Sequence, residues 1–215
     1  GCIRGAPGKQ LGANMTLITF PTGELGVNTY IISADGTGAA VIDPGGDAGK
    51  IRAVLSENGL KLKAVLLTHG HFDHIGAAAE LKRLGAEIYV SKEDAPMLDN
   101  DILNMAAPFN MHVEHPVIKD GDILNIAGLE IRVIFTPGHT PGGVCFLTEN
   151  KLFSGDTLFH RSVGRCDHPG GNHGLLIKSI KEKLPSRRHS RLSGARALNV
   201  YRRRKTLQSV FGCRR

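Results

Sequence analysis

The residues best suited to chemistry in this 215-residue sequence are concentrated in one stretch, Thr68–His74 (THGHFDH). Three imidazoles and one carboxylate lie within six consecutive residues, a density of metal ligands that packing requirements do not explain. Borderline metals such as zinc favour imidazole nitrogen together with carboxylate oxygen. The stretch therefore predicts a metal site.

The spacing within this stretch suits two adjacent ions better than one. His69 and His71 are two residues apart, so in an extended loop they project to the same side and can share an ion. Asp73 continues that alternation, whereas His74 breaks it and is expected to start a helix. Four donors that point in two directions can serve two neighbouring ions, whose remaining ligands must come from elsewhere in the chain.

The remaining ligands are expected to be His139 and Asp156, each of which lies in a glycine-bounded turn directly after a predicted strand. Asp156, with two oxygens, is a natural bridge between ions. Two divalent ions about 3.5–4 Å apart can share a hydroxide whose pKa is lowered, and can polarise a carbonyl. Such a pair hydrolyses esters, thioesters, amides or phosphodiesters without a protein nucleophile.

The elements that must position these residues form a mixed α/β pattern. The order strand, helix, strand over residues 64–90 predicts a parallel unit, and functional sites in open α/β sheets gather where the histidine stretch falls, after the first strand. We therefore predict a layered β-sandwich with helices outside. Strands are predicted at 16–20, 28–33, 39–42, 64–67, 87–90, 117–118, 122–126, 129–135, 144–147 and 151–154, helices at 48–58, 75–84, 91–99 and 174–184, and a loop at 100–115.

Charge divides the chain into a body and a tail. Residues 185–215 contain ten Lys or Arg and no Asp or Glu, so residues 1–184 carry 17 basic and 20 acidic side chains despite the overall net charge of +7. The tail offers only Tyr201 and Phe211 for base stacking, so we expect no nucleic-acid partner. The predicted organisation is an N-terminal extension, disordered or extraneous, at 1–14, a catalytic body at 15–184 and a basic tail at 185–215.

The cysteines and apolar segments predict a cytoplasmic protein. Cys2, Cys145, Cys166 and Cys213 show no CxxC spacing and are expected to be free thiols in a reducing compartment. The first residues lack the apolar region of a signal peptide, and no apolar run approaches the ~20 residues that span a bilayer. Nothing in the sequence predicts an oligomeric state.

Three segments, THGHFDHIGA, TPGHTPG and FSGDTLF, together resemble the metallo-β-lactamase superfamily and, within it, the short glyoxalase II-like hydrolases. The resemblance extends from Met15 to Leu184 and includes GELGVNTYII, VIDPGG and GRCDHPGG. It implies a four-layer αβ/βα sandwich with a metal site along one edge, here with an incomplete C-terminal part.

The resemblance also implies the roles of the candidate residues. Two zinc ions are expected, with iron or manganese as alternatives, and a metal-bound hydroxide would be the nucleophile. Among the ligands, Asp73 is the one that we also predict to act in catalysis. The implied ligands are His69, His71 and His139 for the first ion, Asp73 and His74 for the second, and Asp156 between the two.

Residues around the ligands are expected to support them. Asp43 resembles the family's aspartate beneath the site, which orients a ligand histidine. Arg165 and Asp167 resemble a Gly-Arg-x-Asp turn that braces the site, with an ordinary surface ion pair as the alternative. The other histidines of the body are predicted to be surface or loop residues: His112, His115, His160, His168 and His173.

One expected ligand is missing. The family supplies a further histidine to the second ion from a Tyr-Pro-Gly-His-Gly-like turn after the helix equivalent to 174–184, where this chain has LSGARA at 192–197. Those residues can be encoded TTA TCC GGG GCA CGG GCC, and removal of the first base gives codons for Tyr-Pro-Gly-His-Gly. We interpret the tail as out-of-frame sequence beginning near Leu184, which also explains its arginine excess, and we expect an impaired second centre.

The expected activity is hydrolysis of a small thioester or ester, resembling that of hydroxyacylglutathione hydrolase on S-lactoylglutathione. An iron-dependent glutathione persulfide dioxygenase is one alternative, and a lactonase or β-lactamase is another. A basic nucleic-acid-binding tail on an inactive hydrolase scaffold is the alternative from a different class.

Overall fold

The computed structural model describes residues 15–105, 115–160, 162–184 and 196–197. Two β-sheets lie face to face, and helices cover the outer face of each, which confirms the predicted four-layer sandwich. The predicted extension at 1–14, the tail apart from 196–197, and His112 lie outside the described residues.

The first sheet has six strands in sequential order, with β1–β3 antiparallel and β3–β6 parallel, so the predicted parallel unit is present as β4 and β5. Alternate residues face opposite sides: Ile31 and Val41 contact the helices, whereas Ile32 and Ile42 contact the second sheet. The strands are β1 (Thr16–Thr22), β2 (Val27–Ser33), β3 (Gly38–Ile42), β4 (Lys61–Leu66), β5 (Glu87–Ser91) and β6 (Val117–Ile118).

The second sheet has the order β13-β10-β9-β8-β7, and β11 and β12 form a separate hairpin. Phe146 and Phe153 from this sheet are fully buried against the first sheet. The strands are β7 (Ile123–Ile126), β8 (Leu129–Phe135), β9 (Val144–Thr148), β10 (Lys151–Phe153), β11 (Leu158–Phe159), β12 (Ser162–Val163) and β13 (Arg196–Ala197), the last parallel to β10.

The helices are α1 (Ala48–Glu57), α2 (Phe72–Ile75), α3 (Ala78–Arg83), a 3-10 helix (Ala95–Leu98), α4 (Asp101–Asn104) and α5 (His173–Lys183). Helices α1 and α3 cover the first sheet, and α5 contacts the second. None of the helices in the described ranges is long and apolar enough to cross a bilayer.

Three local sequence predictions were wrong. The helix expected at 75–84 is interrupted, with α2 ending at Ile75 and α3 beginning at Ala78, because the Ala77 N–H donates to the Pro44 carbonyl oxygen at 2.9 Å. Since α2 begins at Phe72, Asp73 is helical and does not continue the extended alternation. The loop expected from residue 100 contains α4, whose first N–H groups donate to the Asn100 side chain.

Candidate metal centre

The candidate ligands meet at one edge of the sandwich because three strand ends converge there. The stretch Thr68–His74 follows β4 of the first sheet, His139 lies between β8 and β9 of the second sheet, and Asp156 follows β10. The Val144 N–H donates to the Thr68 carbonyl oxygen at 2.8 Å, which joins the two sheets at this edge.

Three imidazoles form the first group of donors. The Nδ1 atom of His71 lies 3.0 Å from Nε2 of His139, which in turn lies 3.2 Å from Nε2 of His69. All three side chains are buried, and their nitrogens are close enough to hold one metal ion.

Oxygen atoms behind two of these rings fix their tautomers. Thr68 Oγ1 donates to Asp43 at 2.7 Å, so it is free to accept from Nδ1 of His69, 3.1 Å away. The Arg165 carbonyl oxygen can only accept, so Nδ1 of His139, 2.6 Å away, carries a proton. With protons on these outer nitrogens, both Nε2 atoms present lone pairs to the site.

The electrostatics of this group suit a cation. Burial lowers the pKa of His69 well below its usual value and that of His71 to about 3, and the neighbouring imidazoles add to the effect. Both rings are therefore neutral near pH 7, the form that binds a metal. The inward Nε2 lone pairs of His69 and His139, 3.2 Å apart, repel one another unless a cation lies between them, so the donor set fits a divalent metal.

A second group of donors, His69, His74 and Asp156, is also close enough to hold an ion. Within this group Oδ1 of Asp156 lies 3.4 Å from Nε2 of His74, and Oδ2 lies 3.7 Å from Nε2 of His139, a member of the first group. The carboxylate is therefore close to both groups, and its bridging role stays a prediction.

Asp73 lies beside the second group. Its Oδ2 atom is 3.9 Å from Nε2 of His74, and its side chain is more exposed than that of His74, at 20% against 4%. Burial nevertheless raises the pKa of Asp73. Its predicted roles as a ligand and in catalysis stay predictions.

Asp43 supports the ligand stretch from below. It follows β3 with a φ of 48°, and its carboxylate accepts from the Thr68 N–H at 2.8 Å and lies 3.0 Å from Nδ1 of His74. Burial opposes protonation of His74, but the carboxylates of Asp43 and Asp156 raise its pKa well above the usual value. These contacts are those that the sequence predicted for a residue that orients a ligand histidine.

The main chain and the side chain of Arg165 make different contacts. The contact with His139 comes from the main-chain carbonyl of Arg165, whereas its guanidinium forms a two-bond ion pair with Asp167 at 2.8 and 2.9 Å. Both side chains are at least 65% exposed, so the pair matches the surface alternative. The hydrogen bonds from Arg165 lower the pKa of Asp167 to about 2.

Two neighbours of the site were not anticipated. His168 is a loop residue as predicted, but its ring centre lies 5.4 Å from that of His71, and the only sequence signal was its place in the GRCDHPGG segment. Asp94 is completely buried beneath the ligand loops, and no local pattern marked it. His160 and His173 are exposed and His115 is half-buried.

Comparison with known proteins agrees with the fold. Residues 22–188 match the metallo-β-lactamase superfamily. The chain is 37% identical to hydroxyacylglutathione hydrolase GloC of Haemophilus influenzae over 179 residues, which cover 79% of this chain and 84% of that protein.

Among solved structures, the chain is similar to the B3 metallo-β-lactamase BLEG-1, with 35% identity and a TM-score of 0.75 over 80% of this chain and 88% of that one. It is also similar to TTHA1623 in a di-iron-bound form, with 34% identity and a TM-score of 0.67 over 76% of this chain and 84% of that one. The chain therefore belongs to the metallo-β-lactamase superfamily, a family of metal-dependent hydrolases.

Proposed function

We propose that this protein hydrolyses small thioesters of the S-lactoylglutathione type with a pair of zinc ions. The observation that carries the metal assignment is the convergence of three buried imidazoles, with nitrogens of His71 and His69 at 3.0 and 3.2 Å from Nε2 of His139. The similarity to GloC along most of both chains supports the substrate class. When bound, such a metal pair lowers the pKa of a water and polarises a carbonyl.

In this proposal, different residues hold the two ions. His69, His71 and His139 hold the first ion, and Thr68 and Arg165 keep two of their lone pairs directed inward. The remaining donors would hold the second ion, and Asp73, whose side chain is 20% exposed, would also be the carboxylate that contacts the substrate. The ligands assigned to the second ion are Asp73, His74 and Asp156.

We also propose a cytoplasmic location. The described cysteines, Cys145 and Cys166, are both free thiols, as expected in a reducing compartment. The proposed partner is a small molecule, because the metal donors lie at one edge of the sandwich and not on an extended basic surface.

The test combines metal analysis with hydrolysis of S-lactoylglutathione. We expect zinc in the purified protein and turnover that a chelator abolishes. His139→Ala removes a ligand and should reduce kcat/KM by more than the about 10–100-fold that loss of an outer partner causes. His173→Ala, at an exposed helix start, is the control and should retain activity. Absence of thioesterase activity both in the zinc-loaded chain and in a zinc-loaded chain with the frame restored after Leu184 would exclude the proposed substrate class.

A β-lactamase is the second candidate, favoured by the similarity to BLEG-1. A chromogenic cephalosporin, assayed beside S-lactoylglutathione on the same zinc-loaded protein, separates the two: the substrate with the higher kcat/KM identifies the activity. The di-iron form of TTHA1623 favours iron as an alternative metal. Oxygen consumption with glutathione persulfide by iron-loaded protein would instead support the dioxygenase alternative.

A further inference from the structure

A buried carboxylate connects the two loops that carry the first group of donors. Asp94 follows β5, immediately before the 3-10 helix, and is 0% exposed. Its Oδ2 atom accepts from the Gly70 N–H at 3.2 Å and from the Thr140 hydroxyl at 2.7 Å, and its Oδ1 atom accepts from the Gly142 N–H at 2.6 Å.

These hydrogen-bond donors belong to the two loops that carry the first group of metal donors. Gly70 lies between His69 and His71 in the loop after β4, and Thr140 directly follows His139 in the loop after β8. The two loops belong to different sheets, so one carboxylate links the two halves of the first donor group. Hydrogen bonds to a carboxylate are shorter and stronger than neutral ones, which makes this link stiff.

The backbone is shaped to bring Asp94 this close. An added Cβ at Gly142 would lie 2.1 Å from Ser91 Oγ and 2.5 Å from the Asp94 nitrogen. An added Cβ at Gly70 would lie 2.6 Å from Met97 Cβ. Glycine at both points lets residues 91–97 contact the backbone of both loops.

We propose that Asp94 is a positioning residue that sets the separation between His69, His71 and His139 by binding the backbone of both ligand loops. It differs from Asp43, whose carboxylate lies against a ligand imidazole. The inference rests on the proposed metal site, because the separation matters only if the three imidazoles share an ion.

The sharpest test is a pair of substitutions at Thr140, which is completely buried and donates to Asp94. Thr140→Val keeps the volume but removes the hydroxyl, whereas Thr140→Ser keeps the hydroxyl but removes a methyl group. Affinity of the full chain for Zn²⁺ alone, measured by competition with a chromophoric chelator, is the readout. Thr140→Val should lower Zn²⁺ affinity by about 10–100-fold, while Thr140→Ser should stay close to wild type.

A second variant tests the carboxylate directly. Asp94→Asn places an amide N–H against at least one N–H donor, and should lower Zn²⁺ affinity as Thr140→Val does. The Co²⁺-loaded forms of both variants should show a changed visible spectrum, which reports ligand geometry independently of activity. Ile51→Val, on the buried face of α1, is the control for lost stability and should leave Zn²⁺ affinity unchanged.

The outcomes separate the two proposals. Two results would show that the Thr140 contact is only packing: wild-type Zn²⁺ affinity in Thr140→Val, or a greater loss in Thr140→Ser than in Thr140→Val. Either result would overturn the role of Asp94 but leave the metal site standing. Failure of the wild-type chain to bind Zn²⁺ would overturn the metal site and this inference together.

Discussion

Three of the four buried imidazoles in the metal centre have one ring nitrogen held by an oxygen atom behind the ring. Those oxygens belong to Thr68 for His69, to the Arg165 carbonyl for His139 and to Asp43 for His74, at 2.6–3.1 Å. A ring held in this way loses little side-chain entropy when it binds a metal. The rings are therefore oriented for metal binding before the ion arrives.

His71 is the exception: unlike Nδ1 of His74, which lacks an aligned hydrogen bond but lies 3.0 Å from the Asp43 carboxylate, Nε2 of His71 is buried without a hydrogen-bond partner among the described residues. Its folded-state pKa of about 3 lies far below the value of about 6.5 in an unfolded chain. Between these two values the unfolded chain binds a proton that the folded chain excludes. The stability of the metal-free protein should therefore fall as pH falls from about 6.5 towards 3.

This pH dependence is expected to be weaker in His71→Gln. Removal of the imidazole should reduce the slope of unfolding free energy against pH by up to about 1.4 kcal/mol per pH unit in this window. Well below pH 6.5, His74, with a raised pKa, is protonated in both states and adds little slope, whereas His69, whose pKa is lowered, adds a slope of the same sign that His71→Gln leaves in place. Urea unfolding of chelator-treated protein at several pH values measures this slope of unfolding free energy. An unchanged slope in His71→Gln, or an equal change in the exposed control His160→Gln, would contradict the assignment.

At the scale of elements, helix α5 supports the loop that carries His139. The N–H of Asn172 donates to the Gly138 carbonyl at 2.7 Å, and the Ser179 hydroxyl donates to the Pro137 carbonyl at 2.8 Å. Gly138 has no room for a Cβ, which would lie 2.3 Å from the Leu176 nitrogen. The loop is thus held by α5 as well as by Asp94.

The start of α5 depends on the Asn172 side chain, which accepts from the Leu175 N–H at 2.9 Å. Asn172→Ala leaves that N–H without its cap and should reduce the free energy of unfolding by about 0.5–2 kcal/mol. Asn172→Asp keeps an acceptor and should be nearly neutral, which makes it the matched control. Equal stability of the two variants in urea denaturation would mean that the cap contributes nothing measurable.

The sequence predicted those elements whose pattern is local. Period-2 alternation identified the strands, and the position of His69 after β4 correctly predicted the edge of the sheet. The break between α2 and α3 depends on the hydrogen bond from Ala77 to Pro44, thirty-three residues away, so no helical pattern could show it. Asp94 was missed for the same reason, because an aspartate before Ala-Pro is usually an exposed turn residue and only the fold buries it.

At the scale of the whole molecule, the site lies on the seam between two sheets. The first sheet supplies the imidazoles of residues 69–74, and the second supplies His139 and Asp156. The seam is closed by hydrogen bonds such as that from Val144 to Thr68. Metal binding should therefore stabilise the contact between the sheets, because the ion binds the folded arrangement and not the separated strands.

The two donor groups are unequally complete, and this leads to a prediction about the tail. The first group has three imidazoles, whereas the second shares His69 with it and adds His74 and Asp156. The proposed out-of-frame segment at 192–197 is where the family's further histidine would otherwise be encoded. We therefore expect this chain to bind one Zn²⁺ ion tightly and a second more weakly, and a chain with the frame restored after Leu184 to bind two tightly.

Zinc stoichiometry by competition titration measures this difference on the two chains. In the restored chain, replacement of the histidine in the Tyr-Pro-Gly-His-Gly turn by alanine should return the stoichiometry to that of the present chain, which separates a ligand effect from a general gain in folding. Thioesterase activity should follow the second ion, because activation of water and polarisation of the carbonyl are shared between two metals. Two tight ions in the present chain, or a nucleotide sequence without the motif one base away, would contradict the frameshift and leave residues 185–215 as a genuine part of the protein.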